Sequence, residues 1–268
     1  MTLERMSVHS VTFYGAALGE LHTHWTALGL NRLSLIDFQL SDPALAPLLD
    51  AHGYRIDAVY HLFGAGRVPA AADDIAAARD TLNRLIDTAA GVDARMVYML
   101  TGGRGPLSWR EGADRFCAAV APCVARARDA GVALAIENAS SLYADIHIAH
   151  SLRDTIMLAE MAGLGICIDL FHCWAEAELP ALIERALPRT EHVQLSDYVL
   201  GDRALPARAV PGDGAIPVES FVAQVLAGGY AHGVDLELIG PRIDAEGRAA
   251  AARRACDVIG PMLDRLGA

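Results

Sequence analysis

Eight short apolar runs alternate with longer segments of helical periodicity along the 268 residues, and this alternation constrains the fold more than any other feature. Several runs are apolar nearly throughout, which is typical of parallel strands covered on both faces. Eight strands with helices between them are the pattern of an α/β (β/α)8 TIM barrel. The predicted strands are Val8 to Tyr14, Arg32 to Asp37, Ile56 to Leu62, Arg95 to Thr101, Val132 to Asn138, Gly165 to Phe171, His192 to Ser196, and Val234 to Ile239.

Several of the intervening segments carry helix-capping residues at both ends. Polar caps start a helix, and glycine commonly ends one, because it adopts the left-handed conformation without strain. The predicted ends are Ser41-Asp42-Pro43 with Gly53, a capping box of Ser108 and Glu111 with Gly131, and Ser151 with Gly163.

An open, doubly wound sheet is the competing architecture. Such a sheet usually carries a glycine-rich phosphate turn after an early strand. The run Thr101 to Gly105 follows the fourth predicted strand and lacks the G-x-G-x-x-G spacing. No Ser/Gly-rich linker divides the chain, so we expect one TIM-barrel domain over residues 1–268.

Composition excludes several classes of function. The 33 acidic residues outnumber the 22 basic ones, and the net charge of −11 disfavours a nucleic-acid partner. All the basic residues are arginine. Without lysine, Schiff-base catalysis, pyridoxal-phosphate anchoring and the phosphate-loop lysine are excluded, because each needs an amine.

The location of the protein is expected to be cytoplasmic. No uncharged apolar run approaches the roughly 20 residues that a membrane helix needs, and the first residues do not resemble a secretory signal. The five cysteines are widely spaced and form no C-x-x-C motif, so they indicate buried thiols in a reducing compartment.

Polar side chains end the last four predicted strands, at Glu137, Asp169, Gln194 and Glu237. In a barrel the carboxyl ends of all strands open on one face, where active sites lie. Three carboxylates held together there repel one another, and a divalent metal ion is the simplest compensation. Carboxylate and amide oxygens are hard ligands that suit Mg²⁺ or Mn²⁺.

The same residues carry a resemblance that covers the second half of the chain. The ordered series resembles the xylose-isomerase-like TIM-barrel superfamily of sugar isomerases and epimerases. Within it the series is most similar to hydroxypyruvate isomerases, which have a glutamine where ketose 3-epimerases usually have a metal-binding histidine. The motifs are Ile136-Glu137-Asn138, Asp169-Leu170-Phe171-His172, His192-Val193-Gln194, Arg208 to Gly214, and Leu236-Glu237.

This resemblance implies a specific chemistry. One divalent ion, Mn²⁺ or Mg²⁺, would be held by Glu137, Asp169, Gln194 and Glu237, with His172 and Arg208 contacting substrate oxygens. The activity implied is isomerisation or epimerisation of an α-hydroxy ketone or aldehyde, such as a sugar, through an enediolate. Glu137 and Glu237 would be the catalytic base and acid.

Structural roles are the alternatives for the individual residues. His172 could bond a backbone carbonyl, and Arg208 could be a surface charge. His192 is expected to lie on its strand with the side chain away from the barrel mouth, although alternation places it on the same face as Gln194. Asp197 and Asp213 are expected to shape a loop.

Other functions remain open on the same fold. Aromatic residues at the early strand ends suggest a substrate with a hydrophobic or ring-shaped portion; they include Phe13, Tyr14, Tyr60 and Phe63. A metal-dependent lyase of the dehydratase type could start from the same intermediate. An endonuclease-IV-like repair enzyme is disfavoured by missing histidine ligands and by the acidic charge. A non-catalytic barrel or one subunit of a heteromeric enzyme stays open, and a homo-oligomer is possible.

Overall fold

The computed structural model describes residues 3–268, in which strands and helices alternate as the sequence predicts. The strands, β1 to β8 in chain order, are Met6–Val8, Arg32–Ile36, Arg55–Leu62, Met96–Leu100, Ala133–Glu137, Gly165–Asp169, Thr190–Leu195 and Val234–Leu236. The helices, α1 to α10, are Leu18–Leu28, Leu45–His52, Ala72–Gly91, Trp109–Ala130, Leu152–Ala162, Leu170–Cys173, Leu179–Ala186, Val218–Ala227, Pro241–Glu246 and Arg248–Leu266.

Most of the predicted helix boundaries are confirmed, but the start predicted at Ser41 to Pro43 was wrong, because α2 begins at Leu45 with Ala44 as its N-cap. Ser108 caps α4, since its hydroxyl accepts a hydrogen bond from the Glu111 N–H while the Glu111 carboxylate accepts one from the Ser108 N–H. Gly131 ends the helix in the left-handed conformation. Gly53 and Gly163 end α2 and α5 in the same conformation, which a residue with a Cβ adopts only with strain.

The prediction for the first strand was wrong, whereas β2 to β8 begin within two residues of their predicted starts. Strand β1 ends at Val8, and residues Ser10–Phe13 form a 3-10 helix. The imidazole Nδ1 of His9 accepts a hydrogen bond from the Val11 N–H at 2.9 Å and caps this turn. A side-chain cap therefore overrides the strand propensity of the β-branched and aromatic residues that follow.

The chain comprises two compact units. The first contains residues up to Asp57 and from His192 onward. In it β8 pairs in parallel with both β1 and β7. Asp235 of β8 lies opposite Ser7 of β1 on one side and opposite Gln194 of β7 on the other. The three side chains therefore lie on one face of the sheet. His192 and Glu237, two residues away along their strands, share that face by alternation.

The second unit spans Ala58–Glu191. Here β4 pairs in parallel with β3 and β5, and β5 pairs with β6. Buried side chains from successive strands pack into one core cluster, of Ala58, Met96, Tyr98, Ala135 and Cys167. This packing holds the carboxyl ends of β5 and β6, at Glu137 and Asp169, in a fixed arrangement.

Within residues 3–268, no helix combines the length and apolar character that crossing a membrane would require.

Candidate active site

Asp169 ends β6 and is held in place through its backbone. The side-chain amide of Asn138 donates to the Asp169 carbonyl at 2.8 Å, and its oxygen accepts from the Asp169 N–H at 2.9 Å. The Asp169 Oδ1 atom accepts from the Phe171 N–H at 2.9 Å and begins α6. The second oxygen, Oδ2, lies 3.6 Å from Nε2 of His172. The carboxylate is thereby fixed with one oxygen toward the imidazole.

Glu137, Asp169 and His172 form a compact cluster in the second unit. Each offers one ligand atom, and these atoms lie within 4.8 Å of one another. Both carboxylates are buried. Ligand atoms at about 2.0–2.6 Å from a common divalent ion are separated by no more than about 5 Å, so the cluster fits one cation. The donor atoms and their spacing make this cluster a candidate metal site.

His147 bonds the backbone of Glu137 and was not predicted from the sequence. Its Nε2 lies 2.9 Å from the Glu137 carbonyl oxygen, and its Nδ1 accepts from the Thr101 N–H at 3.1 Å. Burial, reinforced by the neighbouring His150, lowers the pKa of His147 to about 3. The imidazole is therefore neutral at physiological pH, with its proton on Nε2 donated to the carbonyl.

Gln194, Arg208 and Glu237 are in direct contact in the first unit. The Gln194 amide donates to Glu237 Oε2 at 2.6 Å, and the Arg208 guanidinium contacts Glu237 Oε1 at 3.0 Å. Arg208 also donates to the Ser196 hydroxyl at 3.0 Å. Arg208 is only 2% exposed, so the alternative of a surface charge was wrong. The positive charge of the buried guanidinium lies directly against the Glu237 carboxylate and forms an ion pair with it.

A second buried polar group, which the sequence did not reveal, lies on the same sheet face. The Ser7 hydroxyl donates to Asp235 Oδ1 at 2.6 Å, and His192 Nε2 lies 3.5 Å from Asp235 Oδ2. Burial raises the pKa of Asp235, but hydrogen bonding to His192 and the nearby imidazole of His9 outweigh it and leave the pKa below its usual value. The pattern that singled out Glu237 gave no sign of a second buried carboxylate two residues earlier.

Two of the aromatic residues expected near the early strand ends are core residues. Phe63 packs edge-on against Phe116 at a ring-centroid distance of 5.5 Å, and Phe13 stacks on His24 at 4.0 Å. Tyr14 is 64% exposed. Core packing accounts for Phe13 and Phe63, so the hydrophobic portion of the substrate stays a prediction.

The structure thus brings the predicted site residues together in two groups, each within one unit. Glu137, Asp169 and His172 form one, and Gln194, Arg208 and Glu237 form the other. That all four proposed ligands share one ion remains a prediction.

Comparison with known proteins gives the fold and the family. A family model described as xylose isomerase-like TIM barrel matches residues 14–260. The (β/α)8 prediction is thereby confirmed over the doubly wound alternative. A Streptomyces coelicolor protein, provisionally named a hydroxypyruvate isomerase, is 34% identical over 82 residues. That match covers 29% of this chain and 27% of the relative.

Solved structures resemble the chain along nearly its whole length. An L-ribulose 3-epimerase superposes with a TM-score of 0.80 at 20% identity, covering 98% of this chain and 95% of the epimerase. The IolI protein with a bound zinc atom superposes with a TM-score of 0.82 at 14% identity, covering 98% of this chain and 99% of that protein. At these identities the likeness establishes the fold.

Proposed function

The chain belongs to the xylose isomerase-like TIM-barrel family, and on that premise we propose that it is a divalent-metal-dependent isomerase or epimerase. Its substrate would be an α-hydroxy ketone or aldehyde, either a sugar or a related keto compound. The epimerase among the similar structures and the hydroxypyruvate isomerase assignment of the Streptomyces relative support this substrate class.

The observation that carries the proposal is the cluster of Glu137, Asp169 and His172. Its ligand atoms lie within 4.8 Å of one another, and both carboxylates are buried. Burying two like charges side by side is costly unless a cation compensates them. The zinc-bound IolI structure shows that this fold can hold a divalent ion.

We assign the metal ligands to Glu137, Asp169, Gln194 and Glu237. Because the carboxyl ends of all the strands of a TIM barrel open on one face, residues ending β5 to β8 are suited to share one ion. The Gln194 N–H donates to Glu237, so the amide group is oriented, and its oxygen is the proposed ligand atom. His172, the third member of the cluster, is left to contact the substrate, and the remaining all-oxygen ligand set favours Mn²⁺ or Mg²⁺.

The proton transfer is assigned to Glu137 and Glu237. A bound divalent ion would supply Lewis-acid polarisation of the substrate carbonyl, which makes the adjacent C–H acidic. One glutamate removes that proton to give the enediolate, and the other returns a proton to complete the isomerisation or epimerisation. We assign Arg208, which contacts Glu237, to hold a substrate oxygen as well, and His172, beside Asp169, to donate a hydrogen bond to the developing oxyanion.

Isotope exchange tests this assignment. Metal-stripped protein reconstituted with Mn²⁺ is incubated in deuterated water with hydroxypyruvate and a panel of ketoses, and NMR follows the α-carbon protons. We expect deuterium to enter a product of otherwise unchanged mass, and Glu137→Gln to slow exchange by about 10²–10⁴-fold. Glu184→Gln, which changes an exposed glutamate on α7, serves as the matched control.

The products separate the alternatives. An unsaturated product that has lost water would identify the lyase in place of the isomerase. The proposal would be contradicted if the metal-loaded protein exchanged no proton of any substrate in the panel. It would also be contradicted if wild type and Glu137→Gln exchanged the proton at the same rate.

A further inference from the structure

Asp197 is the centre of a loop that follows β7. Its side chain is 1% exposed and accepts four backbone hydrogen bonds. Oδ1 accepts from Tyr198 at 2.8 Å and from Ile216 at 3.0 Å. Oδ2 accepts from Gly212 and Gly214, both at 2.9 Å. A single carboxylate therefore joins the start of the loop to its end, across a separation of 19 residues.

The backbone of Asp197 fixes the middle of the same loop. Its N–H donates to the Ala209 carbonyl at 2.9 Å, and the Ala209 N–H donates back at 2.8 Å. Arg208 directly precedes Ala209 in the chain, and its guanidinium contacts Glu237 and Ser196. The two hydrogen bonds between Asp197 and Ala209 thus fix the backbone next to Arg208, from which its side chain extends to Glu237.

The loop closes tightly around the carboxylate. A Cβ at Gly214 would lie 2.3 Å from the Tyr198 carbonyl oxygen and 2.4 Å from Asp197 Oδ1. Only glycine allows this approach without displacing the carboxylate or the backbone. Gly212, another of the four donors, has φ of +98°, a conformation that glycine adopts without strain.

We propose that Asp197 is a positioning residue for the active site, which holds Arg208 against Glu237. This inference rests on the proposed function, in which Glu237 is a ligand and an acid or base. A carboxylate is needed because both of its oxygens accept, each from two N–H groups. An asparagine would present an NH2 group to one of these donor pairs, so two backbone N–H groups would lose their acceptor and face another donor.

The first test is a crystal structure of the full-length Asp197→Asn protein. We expect the distance between Arg208 and Glu237 to lengthen from 3.0 Å to beyond about 4 Å, where an ion pair is lost. A folded variant that keeps the 3.0 Å contact overturns the proposal, whether or not the protein is an isomerase. If Asp197→Asn yields no folded protein, Gly214→Ala displaces the same carboxylate and is measured in the same way.

A loop neighbour provides the matched control. The Asp213 carboxylate accepts hydrogen bonds from Arg254 at 2.6 and 2.8 Å, whereas the four donors to Asp197 are backbone N–H groups of other residues. Asp213→Asn is expected to preserve the contact between Arg208 and Glu237. Equal loss of that contact in Asp213→Asn would overturn the specific role of Asp197.

A double-mutant cycle gives the functional readout. In the presence of Arg208, Asp197→Asn is expected to lower kcat/KM by at least about tenfold, whereas in an Arg208→Ala background it is expected to change kcat/KM by less than about twofold. A purely structural role would give the same loss in both backgrounds and would overturn the proposal. Failure of the proposed isomerase activity would remove this readout alone, since the crystallographic distance does not depend on it.

Discussion

Replacing Asn138 by alanine should strongly destabilise the folded protein. Its side chain is fully buried and makes two hydrogen bonds to the backbone of Asp169, at 2.8 and 2.9 Å. Alanine can make neither bond, so a buried carbonyl and a buried N–H are left without these partners. Each such loss costs about 1–3 kcal/mol, and Asn138→Ala should therefore lower the free energy of unfolding by roughly 2–6 kcal/mol.

Urea denaturation followed by circular dichroism measures this change directly. For a domain of this size, each kcal/mol of destabilisation lowers Tm by about 2–4 °C, so Tm should fall by roughly 4–24 °C. Asn31→Ala is the matched control, because Asn31 is exposed and bonds Arg55 only through its backbone carbonyl. Its unfolding free energy should stay within about 0.5 kcal/mol of wild type. A loss below about 1 kcal/mol in Asn138→Ala would refute the reasoning.

Further predictions concern the pH dependence of stability and the effect of replacing a crowded or an exposed glycine by alanine. Because the pKa of His147 is lowered from 6.5 to about 3, only the unfolded state takes up its proton between these values. Stability should therefore fall by roughly 1.4 kcal/mol per pH unit below about pH 6 relative to His147→Gln, and equal slopes in a denaturation series would contradict this. Gly103→Ala should destabilise by more than about 2 kcal/mol, because its Cβ would lie 2.1 Å from the Asp145 carbonyl oxygen. Gly91→Ala, with open space around it at the end of α3, should instead stabilise by about 0.4–1 kcal/mol, and thermal unfolding compares the two.

Local sequence signals were sufficient for the alternation of strands and helices. Ser108 with Glu111 and the glycines at 53, 131 and 163 act within one turn, so their effect is visible in a short stretch of sequence. The prediction for β1 failed because the imidazole of His9 caps a 3-10 turn, and residue type alone does not reveal that bond.

The site was predictable at its strand ends and not in its supporting contacts. Gln194 and Glu237 were predicted from their positions, but a bond between side chains 43 residues apart leaves no local pattern. Burial of Arg208 depends on the loop that Asp197 organises, and the loop-shaping role predicted for Asp197 is confirmed. His147 bonds the backbone carbonyl of Glu137, and the residue types alone do not reveal such a contact.

Mn²⁺ binding to metal-stripped protein, measured by electron paramagnetic resonance, tests the central claim most directly. We expect one ion per chain, and its loss in both Asp169→Asn and Glu237→Gln, which change one proposed ligand in each unit. Glu184→Gln should bind as wild type does. Wild-type protein that binds no ion, or tight binding that survives Glu237→Gln, would contradict a shared cation.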